Sequence, residues 1–274
     1  MEKLDRLGWA AGFSIIAYGV RIGIRVSEAG LLEPLRAYLP IGWRPASSNT
    51  VERLYSLIGG GPGPGVNLRR FHVLFANAQR IARTGDRDEV LEAFESDVAL
   101  YCALMARRRL FVHAGVIGWK GRAILIPGRS FSGKSTLVKA FLEAGATYYS
   151  DEFAVLDDKG RVHPFARPLS LRPGSSQQQI KVSPEEFGAS TGTGALPVAA
   201  VLLTKFKSKM QWRPRAESYG QGILGLLAHA PAARRCPDRA VKILTTSVAR
   251  AKIWRGFRGE AAHTVQDVLR RLEN

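Results

Sequence analysis

The stretch Gly128-Arg129-Ser130-Phe131-Ser132-Gly133-Lys134-Ser135 fits the spacing G-x-x-x-x-G-K-[ST]. Its residue types suit one kind of chemistry. Glycines let a backbone bend until several N–H groups face one anion. A helix beginning at the end of the loop adds the partial positive charge of its N-terminus. Lys134 would reach the β- and γ-phosphates of a nucleotide, and the Ser135 hydroxyl would ligate Mg²⁺. Gly128, Ser130, Ser132, Gly133, Lys134, Ser135 and Thr136 are therefore the candidate nucleotide-binding residues. The competing reading is a glycine-rich turn that binds nothing, so the flanks must decide.

The flanks fit. Residues 123–126 are an apolar run suited to a buried strand, and residues 136–143 have a helical pattern with Gly145 as a C-terminal stop. Residues 146–150 then read as a short strand that delivers Asp151 and Glu152 at its C-terminal end. In open α/β sheets ligands gather at that edge, so two carboxylates there suit Mg²⁺ or a proton. A second acidic pair, Asp157 and Asp158, is followed by Lys159 and Gly160, which is ordinary turn chemistry. Upstream, residues 110–117 read as a strand carrying His113, hairpin-paired with or close to the strand that feeds the loop.

These residues need elements to hold them. Asp86 to Arg108 reads as a long helix, with Val90, Leu91, Phe94, Val98, Tyr101, Leu104 and Met105 at helical spacing and Arg107 to Arg109 closing it favourably for the dipole. Before it, Val20, Ile22, Ile24 and Val26 alternate as a half-buried strand does. Residues 31–39 predict a short helix broken at Pro34. Residues 53–58 and 71–75 predict strands joined by the glycine- and proline-rich linker 59–65, a hairpin loop. After the acidic pair, residues 163–173 are extended and proline-punctuated. Residues 174–197 read as mobile, either a lid or disorder. Residues 198–203 are a buried strand with no acid at its end, so a Walker B aspartate is missing there. Helical segments follow at 223–227, 241–251 and 261–273. The expected division is a β-rich N-terminal lobe with a long helix over 1–109 and a core over 110–274.

The chain has 274 residues and is 46% hydrophobic, enough to bury a core. Cys102 and Cys236 make no disulfide framework. The lack of a long apolar run or a signal-peptide layout predicts no membrane span and a reducing cytoplasm. Net charge is +17. Such a field favours anionic partners, whether nucleotides, acidic peptides, nucleic acid or a membrane surface, and selects none of them.

The order of motifs adds an identity of type. His113 within Val112–Val116, the loop at 128–135, the run Tyr149-Ser150-Asp151-Glu152-Phe153, and the segment from Arg167 to Pro173 together resemble the HPr kinase/phosphorylase family. They look closest to the HPr-kinase-like branch that includes lasso-peptide precursor kinases. The resemblance covers about residues 111–173. It implies an α/β fold: a P-loop kinase core of the HPr kinase and phosphoenolpyruvate carboxykinase type, beside a small N-terminal α+β lobe. That core lacks an ordinary Walker B strand. By position, His113 matches the family histidine near the reacting phosphate. Asp151 matches the first residue of the family's Asp-Asp pair, the hydroxyl-activating base and metal ligand, and Glu152 stands in the second place. Two departures stand out. Phe131 and Ser132 occupy loop positions where the family has small residues and Gly or Val, and the C-terminal signature of the bifunctional enzymes is not visible.

The expected function is ATP- and Mg²⁺-dependent phosphorylation of a hydroxyl, serine first, on a peptide, protein or small acceptor, an acidic one suiting the basic surface. Asp151, His113 and Lys134 would act at the reacting groups. Ser135, Glu152 and Asp151 would hold the metal, and Arg167 and Arg172 would clamp phosphate or an acceptor carboxylate. The rival class is a nucleotide-binding regulatory or nucleic-acid-binding module that has lost transfer. No helix-turn-helix, RRM or zinc signature supports it. A plain ATPase or GTPase is a third reading, and no guanine-reading N-K-x-D sequence appears. The sequence leaves a homo-oligomer open.

Overall fold

A computed structural model describes residues 2–48, 50–62, 69–129, 132–172 and 179–273, which divide into two compact units, Met1–Arg108 and Arg109–Asn274. The fold is mixed α/β.

In the first unit a six-stranded sheet runs in the order Arg44–Pro45, Ala11–Ala17, Val20–Val26, Arg53–Ile58, His72–Ala76, Gln79–Thr84. Alternation in the second of the long strands puts Val20, Ile22, Ile24 and Val26 in the core, each no more than 2% exposed. The helix Arg87–Met105 covers this face with Val90, Leu91, Phe94, Val98 and Cys102. It starts where the Asp86 carboxylate accepts the N–H groups of Asp88 and Glu89. Arg107 and Arg108 lie beyond its last turn. The Arg107 amide donates to the Tyr18 carbonyl and its guanidinium bonds Glu52, so the expected dipole contact is replaced by anchoring of the chain. The short helix Leu32–Arg36 runs through Pro34 without a break. Pro34 falls in its first turn, where amides have no intrahelical partner to lose. Strands Arg53–Ile58 and His72–Ala76 pair antiparallel, as a hairpin requires, and residues 63–65 of the predicted loop lie outside the described residues.

The second unit is organised by Leu110–Trp119. On one side it pairs antiparallel with Arg122–Pro127. On the other it carries two short strands in succession, Thr147–Ser150 and Phe153–Leu156. Beyond Arg122–Pro127 the sheet continues in parallel with Val198–Phe206 and then Lys252–Arg258. The three parallel strands therefore end at one edge, the edge where α/β proteins bind ligands. Helices Lys134–Glu143 and Ala261–Glu273 cover one face through Leu137, Val138, Phe141, Val265 and Val268. Helices Tyr219–Leu227 and Pro237–Val248 cover the other through Leu226, Ile243, Leu244 and Val248. Each such side chain, removed from water, contributes about 1.5–3 kcal/mol.

The described part of the predicted mobile segment is folded. Ile180–Val182 pairs with Leu169–Leu171, a capped turn spans Pro184–Phe187, and the Tyr149 hydroxyl bonds the Gly194 carbonyl. Composition gave no hint of this, because the order comes from two tyrosines elsewhere: Tyr148 backbone groups bond Ser190 and Gly192. Residues 174–178 lie outside the described residues. Among the described residues no helix is long and apolar enough to cross a membrane.

One close approach sets the helix that follows the glycine loop against the sheet. A Cβ on Gly115 would lie 2.6 Å from Val138 Cγ2. Gly115→Val forces helix and strand apart, so we expect a loss of about 1–3 kcal/mol in denaturant unfolding. Unchanged stability would mean that the contact yields freely.

Candidate active site

The strand Arg122–Pro127 runs into the glycine loop, and the helix Lys134–Glu143 leaves it. The turn between them needs glycine. Gly133 caps the helix at φ 80°, ψ 21°, the left-handed region. Its carbonyl accepts both the Leu137 amide, within the helix, and the Arg258 guanidinium at 2.7 Å. Ser132 N–H donates to the Arg129 carbonyl at 3.2 Å, and Lys134 Nζ donates to the same oxygen at 2.9 Å. Lys134 is only 8% exposed. Burial lowers its pKa, against the opposing pull of Asp151 and Glu152. Ser130 and Phe131 lie outside the described residues.

The acidic pair sits where the chain passes from one short strand to the next along Leu110–Trp119. The buried Ser150 hydroxyl accepts the N–H groups of Glu152 and Phe153 and closes this kink. The Ala114 amide donates to the Glu152 carbonyl at 3.1 Å. The kink turns Asp151 towards the helix start. Its Oδ2 accepts the Ser135 hydroxyl at 2.8 Å and the Ser170 amide at 3.4 Å. Its Oδ1 is buried with no hydrogen-bond partner among the described residues. Burial pushes the Asp151 carboxyl up to about 6, opposed by those two hydrogen bonds and by the Lys134 charge.

His113 is opposite Phe153 in the strand register and packs its ring against that phenylalanine, centroids 5.7 Å apart. Its amide donates to the His229 carbonyl at 2.8 Å. Burial, then the charges of Lys134 and His229, bring the His113 imidazole down to about 4, so it is neutral at pH 7. Burial also lowers His229, with help from Lys134 and Arg129. Lys134, His113, His229 and Asp151 therefore feel one another electrostatically.

The structure thus brings together Gly133, Lys134, Ser135, Asp151 and His113, with Glu152 beside them in the chain. Gly128 lies close to the loop, since a Cβ there would stand 2.6 Å from Ser132 Oγ. Thr136 is exposed on the first turn of the helix. Arg167 stacks over the Phe165 ring at 5.3 Å, and its carbonyl accepts the Tyr148 hydroxyl. Arg172 follows the strand Leu169–Leu171, whose Ser170 amide reaches Asp151. The other acidic pair is occupied with its own turn. Asp157 accepts the amides of Lys159 and Arg161, the Arg161 guanidinium and a bond with His163 Nε2. Among the described residues no group of three or more His, Cys, Asp and Glu forms a metal cage.

Two residues escaped the sequence reading. Arg258 ends a strand, Lys252–Arg258, whose apolar pattern is interrupted by arginines at 255 and 258. It is 2% exposed, and its Nε is buried with no hydrogen-bond partner among the described residues. His229 follows the helix Tyr219–Leu227, and nothing in its local sequence marks it.

No protein-family model matches the chain, and neither does any curated protein sequence. Among solved structures it is similar to the Hpr(Ser) kinase/phosphatase from Coxiella burnetii. The two are 16% identical over 60% of this chain and 95% of that chain, with a TM-score of 0.32.

Arg258 ties the last parallel strand to the loop carbonyl. Arg258→Met keeps the stem and removes the bond and the buried charge. If the loop holds a nucleotide, ATP affinity should fall about tenfold, the worth of one charged hydrogen bond, as read by calorimetry. Unaltered affinity would confine Arg258 to packing.

Proposed function

We propose that the chain transfers the γ-phosphoryl group of ATP to a hydroxyl, serine first among them, on a peptide, protein or small acceptor. The observation that carries this reading is Asp151. Its carboxylate is half-buried, with one oxygen on the Ser135 hydroxyl and the other shut from solvent with no hydrogen-bond partner among the described residues, at the start of a helix whose first residue is a buried lysine. A nucleotide loop alone would bind ATP. A carboxylate poised to take a proton beside it adds a reason for transfer.

In this reading the α-helix N-terminus and Lys134 hold the β- and γ-phosphates, with Gly128, Ser130, Ser132, Gly133 and Thr136 shaping the cradle. The acceptor hydroxyl oxygen attacks the γ-phosphorus. The bond from that phosphorus to the β,γ-bridging oxygen breaks, ADP leaves, and the hydroxyl proton passes to Asp151. Asp151 suits the task, since its pKa near 6 leaves it ionised yet basic at pH 7. His113, held neutral, contacts the γ-phosphate or orients Asp151 without adding charge. Ser135, Asp151 and Glu152 offer hard oxygens of the kind magnesium takes, and the unpartnered Asp151 oxygen fits such an ion. Bound there with ATP, Mg²⁺ would neutralise the phosphate oxygens. Arg167 and Arg172 are the proposed clamps for the acceptor. The resemblance of the motif order to HPr-kinase-like proteins supports the same class of reaction and favours a peptide acceptor.

The test is transfer of labelled phosphate from ATP·Mg²⁺ to free serine, pooled serine-containing peptides and a host lysate. Transfer by the wild type that Asp151→Asn abolishes is the expected result. ATP binding with no transfer to any acceptor, unchanged in Asp151→Asn, would replace this reading with a regulatory nucleotide-binding module.

A further inference from the structure

One aromatic ring beside the glycine loop has no task in the reading above. Among the described aromatic side chains of the second unit, Phe206, Tyr219 and Phe257 are exposed. Tyr219 begins a helix that packs on the far face of the sheet. Phe257 is the register partner of Lys205, and this pair points to that far face as well. Phe206 alternates with them. It shares its face with Leu202, Trp254 and Arg258, and the helix Lys134–Glu143 covers that face. Its side chain is 55% exposed.

Arg258 joins this ring to the loop. The guanidinium carbon stands 5.4 Å from the centroid of the Phe206 ring. The same guanidinium bonds the Gly133 carbonyl at 2.7 Å. The strand also outruns its neighbour. Leu125 pairs with Val201, so Pro127, where the loop-bearing strand ends, is level with Leu203. Val198–Phe206 continues beyond that level from Leu203 to Phe206, about 10 Å at the rise of a strand. Phe206 therefore rises beside the loop rather than below it.

The order of the sheet gives this position a meaning. Asp151 and His113 belong to the Leu110–Trp119 side of the loop-bearing strand, and Val198–Phe206 lies on its other side. A nucleotide with its γ-phosphate at Asp151 leads its base away from that carboxylate, because like charges keep the polyphosphate chain extended. Phe206 lies in that direction.

We propose that Phe206 is the platform for the base of the nucleotide: a purine ring stacks on it, and Arg258 holds ring and loop in a fixed relation. Stacking uses the π-face that every base carries, so the platform adds affinity for ATP and GTP alike and none for a bare polyphosphate. The inference rests on the nucleotide loop of the phosphotransfer reading and does not depend on transfer itself.

The full chain is titrated by calorimetry with ATP, GTP and inorganic tripolyphosphate, each with Mg²⁺, and wild type is compared with Phe206→Ala and Phe206→Trp. Phe206→Ala should weaken both nucleotides about tenfold, the scale of one base stacked on an aromatic ring. Its tripolyphosphate affinity and melting temperature should stay at wild-type values, since the ring is exposed. Phe206→Trp should bind ATP at least as tightly as wild type. An equal loss for ATP and tripolyphosphate in Phe206→Ala would show that the ring acts only through Arg258 on the loop, and would overturn the platform. An ATP affinity indifferent to Phe206→Ala would overturn it too. Binding of neither ATP nor tripolyphosphate to wild type would sink the nucleotide loop and the platform together. The expected binding pattern with no phosphate transfer to any acceptor would sink the kinase reading and keep the platform.

Discussion

If the chain transfers phosphate as proposed, we expect Asp151→Asn to lower the rate at pH 7 by about 10²–10⁴, the usual worth of a positioned general base. The amide preserves shape and still accepts the Ser135 hydroxyl, so the loss reports the missing base rather than a collapsed loop. The wild-type pH profile carries the same signature. With the carboxyl near 6 in the free protein, kcat/KM for the proposed transfer should fall tenfold per unit as pH drops below about 6. His113, already neutral above about 4, adds no limb in that range. A flat profile from pH 5 to 8 together with a fully active Asn variant would remove Asp151 from the chemistry.

The same substitution stabilises the nucleotide-free protein. A carboxyl whose pKa rises from 3.8 unfolded to about 6 folded binds more protons in the folded state between those values. Stability therefore falls as pH climbs through that window, and the full penalty of the buried charge is present above pH 6. Asn carries no such charge. At pH 7 we expect Asp151→Asn to gain about 3 kcal/mol from this two-unit shift, or roughly 9 °C in melting temperature. The gain vanishes below pH 4, where both side chains are neutral. A melting temperature that drops at pH 7 would mean that Asp151 holds the fold together rather than straining it.

Lys134→Met is the second large effect. The side chain is buried and cationic, its ammonium rests on the Arg129 carbonyl, and burial already disfavours its charge. In the proposed reaction a triphosphate would give that charge its partner. Met fills the same volume without it, so transfer should fall about 10²–10³, the scale of losing one preorganised electrostatic contact to the transition state. The protein itself should melt at or above the wild-type temperature, because a desolvated cation has been removed. Transfer kinetics and a melting curve on one preparation check both halves. Wild-type transfer rates in Lys134→Met would show that the loop is a turn and nothing more.

Much of this protein is written locally. Alternation at Val20 to Val26, helical spacing from Val90 to Met105 and the strand–glycine–helix run around Lys134 all predicted the elements observed. Such patterns survive because they are set by which side chains one element must bury. The nearness of Asp151 to the loop was legible too, since a strand from 147 to 150 can only deliver it at one end. Local signals failed where distant groups rule. Pro34 sits inside a helix because helix position, and not residue type, decides what a missing N–H costs. Residues 179–197 look structureless in composition, yet Tyr148 and Tyr149 hold them in place. Sequence by itself determined the loop, its lysine, the carboxylate pair and the histidine as groups of a given chemistry. Only the tertiary structure decided that Asp151 is buried on Ser135, that His229 crowds His113, and that Arg258, far along the chain, grips Gly133. The reason is physical. A residue's type fixes what it can donate, accept or carry, whereas pKa and pairing depend on desolvation and on neighbours that the sheet brings together from remote parts of the chain.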